Sequence, residues 1–441
     1  MNSLSFEEIK CLLNPKHSMV SLDGQITGVS IDSRKIKPGD LFIAIESGKT
    51  SGANYAKDAI NRGASLVISE RDLDILPLFV VEDSIVALNE LAGYYRNKFN
   101  LHVIGVTGSI GKTTVKDMLY LLLSAKFRVV KNEGNLNNLL GLPLSIFNID
   151  SNTEYVILEM GMNHLGEIDK LAKIAKPDIG IITNIAPCHM EYFNDIKEVL
   201  IAKLELYKNI SVGGLFILNE YDTELKNIEK RNDLKHITVG NNCDYHIDNI
   251  NELPESITFN INNVKFDIPL IGRFNAFNAC LSIALSNYLG VELSVASRVL
   301  KNYKSSNGRM NIKKTVDSVF LIDDTYNANP DAFRNVIEYI DRNFKRNRYA
   351  VIGDMLELGK LSGYYHRKLG EILKKAHFNK IFYSGDFIEA VKDGANDIYI
   401  KPVEDNDMDY LREEVNEGDV ILFKASRGIG IETWMNKFLK R

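Results

Sequence analysis

The run Thr107-Gly108-Ser109-Ile110-Gly111-Lys112-Thr113-Thr114 constrains this chain more than any other stretch. It follows an apolar segment, 102–106, that reads as a buried strand, and it opens a segment whose leucines between 119 and 123 suit a helix facing a core. Glycines let backbone N–H groups approach phosphate oxygens, Lys112 brings a positive charge to the β and γ phosphates, and Thr113 places a hydroxyl for magnesium at a helix N-terminus. The fit to Gly-x-x-x-x-Gly-Lys-Thr is incomplete, because Val106 holds the first glycine's place and Gly105 lies one residue early. The strand, loop and helix nonetheless come in the order that a nucleotide site requires. They predict an ATP-binding α/β unit with Thr107 to Thr114 as its cradle.

Around that unit the patterning is α/β throughout. Strands are expected at 41–45, 65–69, 155–159, 179–183 and 215–219, with helices at 53–62, 165–175 and 197–207. A polar, β-rich stretch at 232–270 precedes a helix at 275–289, and a second alternating series runs from Val319 through 349–352 and 380–383 to 420–424. Since 441 residues exceed one ordinary core, we expect three domains at 1–99, 100–310 and 311–441. These are a small α/β domain, a central, mostly parallel domain of the P-loop ATPase type, and a Rossmann-like domain.

Charge and composition exclude several roles. A net charge of -5, with 53 basic and 58 acidic side chains interspersed, offers no footprint for nucleic acid. No run approaches the roughly 18 apolar residues of a membrane helix, and the start lacks a signal-peptide pattern, so a cytoplasmic protein is expected. Cys11, Cys188, Cys243 and Cys280 stand far apart without a Cys-x-x-Cys pair, which suits reduced thiols.

Further runs carry a resemblance. Ser30-Ile31-Asp32-Ser33-Arg34 with Gly39-Asp40, Asn135-Leu136-Asn137-Asn138, and Glu159-Met160-Gly161-Met162-Asn163-His164 lie before and after the loop. Thr183-Asn184, His189, Lys203, Gly272-Arg273-Phe274-Asn275, Asp323-Asp324-Thr325-Tyr326-Asn327-Ala328-Asn329-Pro330 and Gly353-Asp354-Met355-Leu356-Glu357 follow. Together with the loop they resemble the Mur ligases, in the family's order and over all three expected domains. The resemblance implies an ATP-dependent ligase that adds D-alanyl-D-alanine to UDP-N-acetylmuramoyl-tripeptide through an acyl phosphate. Its partners would be those small molecules alone, and it would work as a monomer. The chain departs from the family at Ser51-Gly52-Ala53, at Phe274 in place of a histidine, and at Ala425 in place of a glycine. Two other readings stay open: a paralogous ligase for another amine or carrier, and a non-catalytic ATP-binding protein.

Residue roles divide by their source. Glu159, ending a strand beside the loop, is well placed as a hard oxygen ligand for magnesium, with a carboxylate for the next helix's N-terminus as the lesser alternative. Asn275 and Asn278, three apart, share a helix face as amides reading adenine should, and Asn275 also suits a cap. The resemblance alone makes His189 a ligand of a second magnesium and Lys203 a carbamylated lysine that helps to hold it. It makes Arg309 the phosphate-facing arginine, Asp324 the ribose-binding carboxylate, and Ser30, Ser33 and Arg34 part of the uridine-nucleotide segment. Asn135, Asn137 and Asn138 are assigned to substrate, and Asn327, Asn329, Asp354 and His366 to the incoming dipeptide. The 324–330 stretch is also a good turn and cap sequence.

Overall fold

Strand His102–Thr107 lies between Tyr155–Glu159 and Ile179–Ile182, parallel to both. Val129–Lys131 extends this sheet on one side, and Leu215–Asn219 then Lys235–Val239 on the other, giving six strands that all run parallel. Parallel sheets need cover on both faces, and alternate residues of each strand divide between two cores. Ile104, Val106, Ile157 and Ile181 pack with helices Lys112–Leu123 and Arg273–Tyr288. Val103, Val156, Leu158 and Ile182 pack with Glu167–Ala175 and Ile196–Lys208. Each fully buried Ile or Leu contributes about 1.5–3 kcal/mol, so both helix layers are firmly held. The chain fills one side of the sheet before the other, so its direction of winding reverses beside His102–Thr107. There the carboxyl ends of three adjacent strands open a crevice.

This computed structural model describes residues 1–440 apart from Val20, Leu22 and Lys49. Before the central sheet, a five-stranded sheet runs His17–Met19, Leu78–Val80, Leu66–Ser69, Asp40–Ile43, Gly28–Ser30, parallel except at its first pair. Helix Ser84–Asn97 leaves it and buries Leu88, Leu91 and Tyr95 in the same core as Ile146, Ile168 and Leu171. The Tyr95 hydroxyl donates to the Ile149 carbonyl at 2.7 Å, pinning the two regions together. After the central sheet, Ile247–Glu252, Ile257–Ile261 and Val264–Ile268 form a small antiparallel sheet in the stretch expected to be β-rich.

The last region places Asn311–Lys314, Phe320–Asp323, Val420–Lys424, Arg348–Gly353, Lys380–Ser384 and Tyr399–Pro402 side by side, parallel except for the first pair. Expected elements differ from those observed mainly at their ends. Residues Gly52–Tyr55 form a 3-10 turn before helix Ala56–Asn61, and a side chain at Gly52 would meet the Ile45 nitrogen at 2.6 Å. The helix expected from 165 starts at Glu167 because Gly166 turns to φ +86°. Among the described residues no helix is long and apolar enough to cross a membrane.

Candidate functional site

The crevice at the strand ends is a cavity of about 510 Å³. Its floor is the phosphate loop. Gly108 takes φ +146° and packs so close to Thr183 that a Cβ would stand 1.9 Å from its hydroxyl oxygen. Gly111 takes φ +83°, with Asn278 directly behind it. The next strand's end holds the loop in shape. The Ile110 N–H donates to Asn184 Oδ1 at 2.9 Å, the Thr183 hydroxyl donates to the Ile110 carbonyl, and the Ser109 N–H donates to the Asn184 carbonyl at 3.0 Å. Lys112 Nζ donates to the Gly108 carbonyl at 2.8 Å, so the cation already lies over the loop that would cradle phosphates.

At the second residue of the helix, the Thr113 hydroxyl donates to Glu159 Oε2 at 2.7 Å. Asn137 Nδ2 donates to the other carboxylate oxygen at 2.8 Å. Lys116, which the sequence reading passed over, is buried and places Nζ 3.6 Å from Glu159 Oε2 while donating to the Asn132 carbonyl at 2.9 Å. A buried carboxylate needs such partners to remain charged. The signal was available, since Lys116 interrupts the apolar face formed by Val115, Met118, Leu119 and Leu122. The hydroxyl and carboxylate side by side are hard oxygen donors, and with phosphates and water they suit magnesium. Among the described residues no group of three or more His, Cys, Asp or Glu could hold an ion by itself.

His189 lines the cavity from a loop at φ +54°, and its Nδ1 approaches Glu357 Oε2 to 2.6 Å. That neighbour holds the Glu357 carboxyl below its ordinary range. Lys203 sits behind the lining, fully buried in helix Ile196–Lys208, without a hydrogen-bond or ion-pair partner among the described residues. Burial pushes its amine down to about 8; the nearby Cys188 opposes that shift and the charge on Lys112 adds to it. A lysine in this state has an uncharged fraction near neutral pH, which reaction with carbon dioxide requires.

The last region closes the cavity from the opposite side. Asp324, just past strand Phe320–Asp323, and Lys424, ending the adjacent parallel strand, form a buried pair at 2.5 Å, and Lys424 also donates to the Asn327 carbonyl at 2.8 Å. Lys424 had no role in the sequence reading, although a lysine ending an apolar strand is a visible signal. Arg309 lies 4.0 Å over the Tyr326 ring and lines the cavity with Asn327 and Asn329. Asn329 also caps helix Pro330–Asn343, accepting from the Ala332 N–H at 2.8 Å. Asn275 and Phe274 line the opposite wall, and among the described residues of the first 99 Ile85 alone lines the cavity.

Several expected residues stand elsewhere. Asp354 and His366, expected near the incoming dipeptide, are not among the residues that line the cavity. The Asp354 carboxylate accepts from Tyr383 Oη at 2.7 Å and from the Asp386 and Phe387 N–H groups. His366 is fully buried, accepts from the Met355 N–H at Nε2, donates from Nδ1 to the Ser362 carbonyl, and stacks on Phe387. Burial depresses its pKa. Every polar atom of the pair is engaged in fixing the loop at 354–357. Asn278 lies behind Gly111 and donates to Asn275 Oδ1 at 3.2 Å, so it buttresses the loop and does not face the cavity. Thr107 is buried and donates to the Met160 carbonyl. Thr114 and Asn137 line the cavity with Asn138, whose side chain accepts from the Gly141 N–H, while Asn135 is exposed outside the lining. Ser30, Ser33 and Arg34 lie away from the cavity, around an Asp32–Arg34 pair that lowers the Asp32 carboxyl to about 2.

Comparison with known proteins follows the same three regions. Residues 25–105 match the family model "Mur ligase family, catalytic domain", residues 106–286 the "Mur ligase middle domain", and residues 308–427 the "Mur ligase, glutamate ligase domain". The chain is 33% identical over 434 residues to the UDP-N-acetylmuramoyl-tripeptide–D-alanyl-D-alanine ligase of Bacillus subtilis, covering 96% of this chain and 94% of that one. Its counterpart in Escherichia coli is 30% identical, with 89% and 88% covered. Among solved structures, MurF from Acinetobacter baumannii superimposes with a TM-score of 0.93 over the full length of both chains at 28% identity. MurF from Thermotoga maritima in complex with ADP gives 0.84, covering 93% and 96%, at 30% identity.

Proposed function

Because this chain belongs to the Mur ligase family, we propose that it is an ATP-dependent ligase joining D-alanyl-D-alanine to the peptide carboxylate of UDP-N-acetylmuramoyl-tripeptide. The observation that carries this reading is one cavity floored by the phosphate loop and walled by Glu159, His189, Arg309, Asp324 and Asn327. Joining a carboxylate to an amine in water requires a better leaving group than hydroxide. The tripeptide carboxylate oxygen therefore takes the γ-phosphoryl of ATP, releasing ADP. The uncharged amine then attacks the acyl carbon, and the tetrahedral intermediate collapses to amide and phosphate.

The residues divide this work. Lys112 exchanges its contact with the Gly108 carbonyl for phosphate oxygens, and Arg309 meets them from the far wall. Asp324 serves the ribose and Asn275 the adenine. Thr113 and Glu159 would hold magnesium, with His189 and a carbamylated Lys203 at a second ion; the metal supplies charge neutralisation between two anionic reactants. A buried, unpartnered Lys203 supports that reading, because carbamylation converts an amine that is costly to charge into a carboxylate. Asn327 and Asn329, beside Lys424, face the incoming dipeptide. On this reading residues 1–99 take the uridine nucleotide, 100–310 the ATP and 311–441 the amine, in the cytoplasm, where ATP is available. Closure of the last domain excludes water from the acyl phosphate.

The test is phosphate release by purified protein with ATP, magnesium, UDP-N-acetylmuramoyl-tripeptide and a panel of amines. Turnover dependent on D-alanyl-D-alanine is expected; turnover with another amine only, or none with any, would remove the reading.

A further inference from the structure

The loop at 354–359 of the last region meets the central region where Glu357 faces the segment 189–191. Glu357 Oε2 lies 2.6 Å from His189 Nδ1, and the Glu357 carbonyl accepts from the Glu191 N–H at 3.0 Å. The approach is close along the backbone as well, since a Cβ on Gly359 would stand 2.9 Å from Glu191 Cα. Both members of the pair take a left-handed backbone, His189 at φ +54° and Glu357 at φ +64°. Left-handed backbone is unfavourable for either residue type and persists where the surroundings impose it. Two such residues face each other where the last region meets the central one.

His189 has no other partner for Nδ1 among the described residues, and its contact with Glu357 is short but not yet aligned as a hydrogen bond. Beneath Glu357, the loop is rigid. Asp354 is held by Tyr383 and two backbone N–H groups, and His366 accepts from the Met355 N–H. The Leu356 N–H donates to the Ser426 hydroxyl at 2.9 Å. These bonds explain why Asp354 and His366 are buried away from the cavity: they fix the loop that carries Glu357.

We infer that Glu357 is a positioning residue, which reaches from the last domain to orient His189 of the central domain. A carboxylate on Nδ1 fixes the imidazole tautomer with Nε2 free to bind and raises its basicity. The orientation of a cavity residue supplied by one domain is thus conditional on docking of another. The site is complete only when the last domain is seated. This inference rests on the proposed role of His189 as a metal ligand, and adds to it a residue outside the cavity lining.

The test compares Glu357→Ala, Glu357→Gln and His189→Ala with wild type in the full-length protein. With selective 15N-histidine labelling, the wild-type His189 signal is expected to report a protonated Nδ1, and Glu357→Ala a mixture of tautomers, without nucleotide or metal present. In turnover, Glu357→Ala is expected to lower kcat about 10–100-fold with KM for ATP within about twofold. Glu357→Gln, which keeps an acceptor oxygen, is expected to recover most of the rate. Wild-type kcat in Glu357→Ala overturns the inference, as does equal loss in the Ala and Gln variants, and so does an unchanged His189 signal. Full activity of His189→Ala would instead remove the metal-ligand reading, while the tautomer result would stand by itself. If Glu357→Ala does not fold, the Gln variant and the wild-type tautomer still decide the matter.

Discussion

The phosphate loop and the loop at 354–357 both follow the carboxyl ends of parallel strands, yet they do opposite things with their polar side chains. In the first, six consecutive residues, Ser109 to Thr114, line one cavity, and Lys112 and Thr113 are among them. At the second, Asp354 and, from helix Ser362–Lys375, His366 turn inward and spend their hydrogen bonds on Tyr383, Ser362 and neighbouring backbone. Polar residues at a strand end can therefore face a ligand cavity directly or act by holding another group. Burial and satisfaction of their polar atoms separate the two cases.

The largest effect should come from the cradle. Lys112→Ala is expected to lower kcat on the order of a thousandfold while thermal unfolding stays unchanged. Near-normal turnover in that variant would erase the distinction between the two loops. Lys203→Ala should cost on the order of a hundredfold, and added short carboxylates should restore part of it. The uncharged fraction of the wild-type amine rises as pH rises through about 8, so carbamylation should weaken on acidification, read directly by 13C-bicarbonate labelling. A labelling level independent of pH would count against Lys203 as the acceptor.

His366→Ala should behave in the opposite way. It leaves the Met355 N–H without its acceptor and opens a cavity beside Phe387, so a stability loss of about 2–4 kcal/mol is expected with KM for the amine little changed. A raised KM for the dipeptide at unaltered stability would return His366 to the substrate site. The wild-type imidazole has a folded pKa below its unfolded one. Its contribution is therefore present above the ordinary histidine range and lost as pH falls through it, and urea unfolding below pH 6.5 should show that loss in wild type but not in His366→Ala. The smallest effect belongs to Arg34→Ala: its pair with Asp32 is exposed, so unfolding should not change, while KM for the uridine nucleotide should rise. An unchanged KM would leave that segment without a ligand role.

Much of this was legible beforehand. Strand Tyr155–Glu159 and strand Leu215–Asn219 fall where apolar runs bounded by turn residues put them, because a parallel strand buried on both faces has no polar phase to blur its limits. Helix starts were less legible where glycine geometry decided them, as at Gly166. Lys116 and Lys424 were missed for a common reason: a lysine in a sequence reads as solvated, and only its neighbours show that it is buried against Glu159 or Asp324.

By itself, the sequence determined the phosphate cradle, the α/β periodicity and the order of the elements, since each is written in residues close together along the chain. The tertiary structure alone decided which polar residues meet across the cavity and which only support it, and that His189 faces Glu357. The last of these pairs joins positions 168 residues apart. Their geometry follows from how separate sheets pack, a sum of many small burial terms that no local pattern records.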